Sequence, residues 1–205
     1  METKYPVTHH MKQGSELWHN IKRGKISSSN FHIAISTGKG RKDLLKTLRN
    51  ERMGVISLDR FISEPMKRGT EMEPEAREFY EKLNGCEVKQ VGFIEMSEYI
   101  GTSTDGLLND DGVLEIKNPN SSTHLDWIFA NKLPMTHRHQ VQGGLWVTGR
   151  QYCDFVSYDP RVTKKPYWCI RVERDETIIA ELDVKLGKFV NELKMIMAQI
   201  EGPKF

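Results

Sequence analysis

The sequence has 205 residues, 30 Lys+Arg against 28 Asp+Glu, a formal net charge of +2 and a mean hydropathy of −0.56. Four Trp and 9% aromatic residues argue against a disordered chain, and a chain of this size can bury enough surface to fold without disulfides or a structural metal. No apolar run approaches the ~18–20 residues of a membrane span, and the first five residues lack a signal peptide's apolar stretch, so the expectation is one domain in the cytoplasm, off the membrane. Cys86, Cys153 and Cys169 form neither a CxxC motif nor an even framework and are expected to be reduced thiols. The near-zero charge hides a split. Residues 1–70 carry 14 Lys/Arg and 6 Asp/Glu, whereas residues 71–205 carry 16 and 22. A basic first third and an acidic remainder suit a chain that holds a polyanion with one part and places carboxylates near it with the other; a merely solvated surface fits the numbers equally well.

In chain order, the first third reads as short helices. Glu16–Arg23 carries Leu17, Trp18 and Ile21 on one face and stops at Gly24; Ser29 is a plausible N-cap for Asn30–Ile35; Lys42–Arg52 carries Leu44, Leu45 and Leu48. The stretch Lys39-Gly40-Arg41-Lys42 reads as a basic loop. A stronger helix is expected from Pro74 in its first turn to Gly85. Strands follow over Glu87–Met96, Gly101–Leu108 and Val113–Lys117, the last two flanking the turn Asn109-Asp110-Asp111-Gly112. Thr123–Asn131 and Thr136–Val147 are helical, Tyr152–Tyr158 and Tyr167–Arg174 are strands, and a long amphipathic helix closes the chain. The order predicts an α/β or α+β fold, with helices around a central mixed sheet and a helical N-terminal third.

Chemistry concentrates in the hairpin. Side chains alternate along a strand, so Glu115 and Lys117 share one face while Leu114 and Ile116 take the other. Folding at Asp110–Gly112 brings Asp105 within a residue or two of Glu115. Two carboxylates at that spacing repel and call for compensation. A hard divalent cation such as Mg²⁺, which favours carboxylate oxygens, supplies it. Lys117 beside them would hold the attacking water or neutralise charge growing on a phosphorane-like transition state. Such an assembly suits phosphodiester hydrolysis. Gly106 permits close backbone approach, and Glu73, at the expected start of the preceding helix, stands ready as a further ligand.

Six short stretches in order carry a resemblance: Leu17-Trp18-His19…Arg23-Gly24…Ile26–Ser29; Gly69-Thr70-Glu71-Met72-Glu73-Pro74-Glu75-Ala76-Arg77; Thr104-Asp105-Gly106 with Leu114-Glu115-Ile116-Lys117; His139-Gln140-Val141-Gln142 with Leu145–Thr148; Tyr158-Asp159-Pro160-Arg161; and Val172–Glu176. The pattern resembles the PD-(D/E)XK nucleases, and within them the lambda-type phage exonucleases and their YqaJ-like relatives. The resemblance implies a restriction-endonuclease-like fold, residues 1–70 being the DNA-contacting part and residues 71–205 the catalytic core. It implies Mg²⁺ (Mn²⁺ substituting) held by Asp105, Glu115, the Ile116 carbonyl and Glu73. Lys117 would be the catalytic lysine and Gln140 the glutamine beside the attacking water.

It further implies processive 5′→3′ digestion of linear duplex DNA by a ring-shaped homotrimer, with release of mononucleotides and a 3′ overhang for a single-strand annealing partner. Ser29 and Ser103 fall where relatives place hydroxyls toward the 5′-terminal phosphate, and Lys22 or Arg23 would supply the cation there. Relatives have arginine near Lys22, arginine near Thr123 and proline at Thr104; Arg offers a bidentate fork and Lys a point charge, so the first two departures bear on how the phosphate is held. Lys39, Arg41 and Lys42 are expected to meet the incoming duplex through salt-dependent phosphate contacts. A structure-specific or restriction-type endonuclease of the same fold remains an alternative, as does a DNA-binding module with a decayed site. His124, His137 and His139 are poorly spaced for zinc, and Trp18, Trp127, Trp146 and Trp168 are expected in the core.

Overall fold

The computed structural model describes residues 6–55 and 64–202. Residues 1–5, where no signal segment is expected, lie outside the described residues. The fold is mixed α/β, as expected, but it holds two mixed sheets rather than one. Val7–His9 (β1), Ile26–Ser27 (β2), Phe93–Glu95 (β4) and Ile100–Thr102 (β5) form a four-stranded sheet in the order β1-β4-β5-β2. Val88–Lys89 (β3), Gly106–Leu108 (β6), Gly112–Lys117 (β7), Tyr152–Tyr158 (β8) and Tyr167–Glu173 (β9) form the second, in the order β3-β6-β7-β8-β9.

The strands expected over Glu87–Met96 and Gly101–Leu108 are therefore each broken in two. The chain steps between the sheets at residues 90–92 and again at residues 103–105. The steps are tight. A Cβ on Gly101 would collide with the Phe93 ring, and one on Gly106 with Val88. The second break is thus flanked by glycines where a neighbouring strand's side chain leaves no room for another, which alternation along a strand does not reveal. β1 and β2 are also absent from the sequence reading, because two or three residues carry no readable period.

Helix Glu16–Lys22 (α1) starts at Ser15, whose hydroxyl accepts from the Trp18 N–H. Ser29 is not an N-cap: it lies within a 3₁₀ turn, Ser28–Asn30, that leads into the short helix Phe31–Ala34 (α2). Helix Lys39–Arg52 (α3) begins three residues earlier than expected, so Lys39-Gly40-Arg41-Lys42 is its first turn and not a loop; its N-cap, Gly38, contributes no side-chain bond. Helix Glu64–Asn84 (α4) runs ten residues ahead of the expected start, with Pro74 inside it and Glu73 at its middle. Proline usually opens a helix because its missing N–H is harmless there. Here Pro74 is exposed and lines an open cleft, where the lost helical bond need not be made up by buried partners.

Helices Ser121–Ala130 (α5) and Arg138–Thr148 (α6) form the connection between parallel β7 and β8, and Glu176–Ile200 (α7) closes the chain. The main core joins Ile26, Phe31, Leu145, Phe155 and the α7 stripe Leu182, Leu186, Phe189 and Leu193. A smaller cluster beneath α4 takes Ala76, Tyr80, Leu114, Ile116 and Val156. β7 is thus covered on both faces: Val113 belongs to the main core, whereas Leu114 and Ile116 belong to the α4 side. No helix among the described residues is long and apolar enough to cross a membrane. Leu186 is fully enclosed, so Leu186→Ala should lower unfolding free energy by about 3 kcal/mol, from lost transfer energy and the cavity left behind; denaturant titration measures it.

Candidate active site

The site is built at the open end of the β6–β7 hairpin. Gly106 pairs with Leu114 and Leu108 with Gly112, so Asp105 lies opposite Glu115, as the turn position predicts. Asn109 takes the left-handed conformation (φ 46°), and the Arg150 guanidinium donates to the carbonyls of Leu108, Asn109 and Gly112, clamping the turn. Asp105 is fastened twice: its N–H donates to the Leu114 carbonyl at 3.1 Å, and its Oδ2 accepts from the Ile116 N–H at 2.6 Å.

Glu115 and Lys117 lie two residues apart on β7. Lys117 Nζ donates to Glu115 Oε1 at 2.5 Å, and Gln140 Nε2 from α6 reaches the same oxygen at 2.5 Å. Glu73, from the middle of α4, faces the same corner, and its carboxylate is held by Arg77 one turn along. Four elements therefore converge there. A cleft of about 440 Å³ opens on Glu73, Asp105, Lys117, Asn118 and Trp127. Another, of about 470 Å³, opens on Lys12, Gln13, Glu73, Arg77 and Asp105. The two carboxylates common to both clefts are Glu73 and Asp105.

Arg77, Gln13 and Trp18 matter to this arrangement in ways the sequence reading missed. Arg77 is buried; besides Glu73 it donates to the Asp105 carbonyl at 3.2 Å. The "E…AR" spacing of Glu73 and Arg77, four residues apart, was the available signal, since such pairs meet on a helix. Gln13 Nε2 donates to Val91 O (3.0 Å) and Thr104 O (2.8 Å), tying together the two places where the chain changes sheets. Trp18, expected in the core, stands outside both apolar clusters. Its indole N–H is shared between Gly92 O and Ser103 Oγ, both at 2.9 Å, because a half-buried indole keeps its polar edge satisfied. Trp127 packs on the core but also walls the cleft beside Lys117. Trp146 packs on the core and Trp168 is buried in it.

The other expected residues are scattered. Lys22 Nζ lies 3.7 Å from the centre of the Trp18 ring, and Ser103 Oγ donates to Gly92 O, so Lys22, Trp18 and Ser103 form a short chain leading to Asp105. Arg23 instead bonds Asn20. Ser29 is exposed, while its neighbour Ser28 is buried against Thr102. Lys39 and Lys42 are exposed, and Arg41 pairs with Glu192 of α7. His124 is buried and structural, bonded to Ser157 Oγ and Lys165 O.

Residues 17–151 match the YqaJ-like viral recombinase domain. The chain belongs to that family. The crystal structure of an alkaline exonuclease (LHK-Exo) from Laribacter hongkongensis is 35% identical, with a TM-score of 0.85 over 91% of this chain and 96% of that one. The structure of LHK-Exo in complex with dAMP is 34% identical, with the same score and coverage. A phage-related exonuclease from Haemophilus somnus 129PT, 14% identical with a TM-score of 0.64 over 86% of this chain and 96% of that chain, shares the fold.

In this YqaJ-like member the electrostatics of the site are costly. Burial raises Glu115 to about 7, with Asp105 adding to the rise and Lys117 opposing it. Burial and Asp105 likewise raise Glu73 to about 7 against the pull of Arg77. Asp105 is raised by burial, while Lys117 and the Ile116 N–H draw it back. Lys117 stays charged because Glu115 and Asp105 outweigh its burial. Burial and Lys117 depress His137 to about 4, so it is neutral at pH 7. A carboxyl that keeps its proton to about pH 7 when folded, but to about 4.5 when unfolded, gives the folded state more bound protons across that interval. Stability without divalent metal should therefore fall as pH rises from about 4.5 to about 7 and level off above. Thermal melts in chelator should show this descent in the parent and a shallower one in Glu115→Gln; identical slopes would remove Glu115 from the account.

Proposed function

We propose that this YqaJ-like protein is a divalent-metal-dependent 5′→3′ exonuclease of linear duplex DNA, releasing mononucleotides and leaving 3′ single-stranded ends for recombination by strand annealing. The observation that carries the reading is the enclosure of Asp105 and Glu115 side by side with Lys117 and Gln140. The exonuclease activity named for LHK-Exo, whose chain is matched almost throughout, supports it. Among the described residues no three such ligands are already closed around one point: Glu73 is turned to Arg77, and Glu115 to Lys117 and Gln140.

The donor set fits Mg²⁺ or Mn²⁺ nonetheless. Asp105, Glu115, Glu73 and the Ile116 carbonyl offer oxygen only, and burial of the carboxylates opposes their ionisation, a cost that a bound cation removes. When bound, the cation supplies Lewis-acid activation of the phosphodiester and of water. The protein's own groups do the rest. Lys117, kept protonated, faces the position where phosphate charge develops; the Gln140 amide orients water against Glu115; Arg77 holds Glu73 in place. Trp127 walls the cleft, and His137 packs edge to face on it at 5.4 Å between centroids.

At the 5′ end we assign the phosphate to Lys22, held over Trp18, with Ser103 beside it and Ser29 on the neighbouring turn; Arg23, bonded to Asn20, is the weaker candidate. The assembly in this reading is a homotrimer ring, which sizing in solution checks, and its partner is a single-strand annealing protein. Lys117→Ala, Asp105→Ala and Glu115→Ala should each lower digestion of 5′-labelled linear duplex at least about 10³-fold in Mg²⁺, an oxyanion-scale loss. Duplex binding should survive. Rapid cutting of closed circular DNA by the parent would instead favour the endonuclease. Lys22→Ala should slow digestion of 5′-phosphorylated ends more than 5′-hydroxyl ends, and equal losses would contradict the pocket.

A further inference from the structure

Gln140 is the third residue of α6, and its side chain is released from a task that this position commonly carries. A glutamine there often reaches back to the backbone N–H of the residue that caps the helix. The cap of α6 is His137, the last residue of the 3₁₀ turn Met135–His137, and its N–H already donates to the Pro134 carbonyl at 2.9 Å. The Gln140 amide nitrogen is therefore available to Glu115 Oε1, to which it donates. That leaves the carboxamide oxygen, which an ionised Glu115 cannot hold because a carboxylate only accepts.

The ring of His137 stands where it meets that oxygen. Its backbone is already near-helical, so, three residues before Gln140, it lies on the same side of the helix start. Its ring centroid is 5.4 Å from that of Trp127 and 5.3 Å from that of Phe155. Phe155 is fully buried and is the registered neighbour of Glu115 in the parallel pair β7–β8, so both side chains leave the same face of the sheet. The imidazole is thus packed over the face that carries Glu115, with two aromatic rings fixing its plane. Its side-chain partner is Gln140, and burial, with Lys117 adding to it, keeps the ring neutral at pH 7 with one N–H to donate.

We infer that His137 is a positioning residue of the hydrolytic site: its ring N–H holds the Gln140 carboxamide oxygen, so that the amide nitrogen stays aimed at Glu115 and at the water beside it. The inference rests on the nuclease reading and adds to it a residue to which that reading gives no part in hydrolysis. A side-chain amide turns easily about its last bond, and one held at a single end swings or flips. Glu115 shares the accepting oxygen with Lys117, so its hold on the amide is divided. A second hold, from a ring that two aromatic neighbours immobilise, fixes the amide at both ends. His137 therefore acts on the alignment of the water in the chemical step and not on the grip upon the duplex.

The test is steady-state digestion of 5′-labelled linear duplex in Mg²⁺ by three variants. His137→Phe keeps a ring between Trp127 and Phe155 but has no N–H to give. His137→Asn and His137→Gln lack the ring, and their amide nitrogens replace Nδ1 and Nε2 respectively. The phenylalanine variant should lose roughly 3–10-fold in kcat, the scale of one hydrogen bond, with KM and melting temperature unchanged. One of the two amide variants should turn over faster than it does. Gln140→Ala should be slow on its own, and His137→Phe should slow that enzyme less than about twofold further, because the two residues act as one unit. Losses that multiply in the double variant, a change in KM alone, or a Gln140→Ala enzyme with the parent's kcat would overturn the inference. So would folded amide variants that are both slower than the phenylalanine one. A parent that digests no duplex would be the distinct failure of the nuclease reading, and the positioning role would fall with it.

Discussion

The structure is organised around the enclosure of two carboxylates with one ammonium. Asp105, Glu115 and Lys117 sum to a net negative charge in a place where water screens little, and such an arrangement is unfavourable unless geometry supplies the missing compensation. The backbone does part of this. The Ile116 N–H donates to Asp105, and a strand N–H turned toward a carboxylate exists only because the hairpin ladder ends there. Gln140 adds an amide, and Arg77 adds a cation that reaches both Glu73 and the Asp105 carbonyl. Compensation remains incomplete, as the raised carboxyls show. A protein selected for stability alone would bury apolar residues there; the residual cost is the one that the divalent cation proposed above would offset.

Holding that geometry explains why the fold uses two sheets. Asp105 lies in the link by which the chain leaves the first sheet at Thr102 and joins the second at Gly106. A residue in the middle of a strand would point squarely to one face, whereas a residue in a link can turn its carboxylate along the ladder toward Ile116. The link must then be immobilised from outside the sheets. Gln13 does so with one amide, joining Thr104 to Val91 in the other link, and Trp18 fastens Ser103 to Gly92. Residues far ahead in sequence thereby set the position of the first acid.

This also marks what was legible in the sequence. Asp105, Glu115 and Lys117 could be placed because their juxtaposition is local: one turn, one register and the two-residue period of a strand determine it. Strand β8 and helix α7 were legible for the same reason, since a long run averages over exceptions. The division of residues 87–108 between two sheets was not, because each half alternates acceptably and the alternation does not show that Gly101 and Gly106 lie too close to Phe93 and Val88 for a side chain. The start of α4 was missed by applying a rule that proline opens a helix, which α4 breaks with Pro74 exposed at an open cleft. Trp18 was misplaced because an apolar pattern does not distinguish burial in a core from attachment at a rim. The long-range ties of Gln13 and Arg77 to the backbone around Asp105 leave no periodic trace at all.

The charge split acquires a physical meaning that its arithmetic lacks. Of the cations in the first 70 residues, Lys25 pairs with Glu95, Arg41 with Glu192 and Arg52 with Glu98, each acid belonging to the acidic remainder. Part of the imbalance is therefore spent joining the two regions, and it is unavailable to an external polyanion. Among the described cations that face outward, Lys39 and Lys42 lie on the first turn of α3, where a helix start already favours negative charge. Lys188 of α7, from the region whose sum is acidic, lines a surface cleft together with Lys42. Regional totals thus count Arg41, which is internally committed, and discount Lys188, which no ion pair among the described residues engages. A polyanion responds to the potential at the surface it meets, and that potential is set by which side chains the fold leaves unpaired, not by the stretch of sequence from which they come.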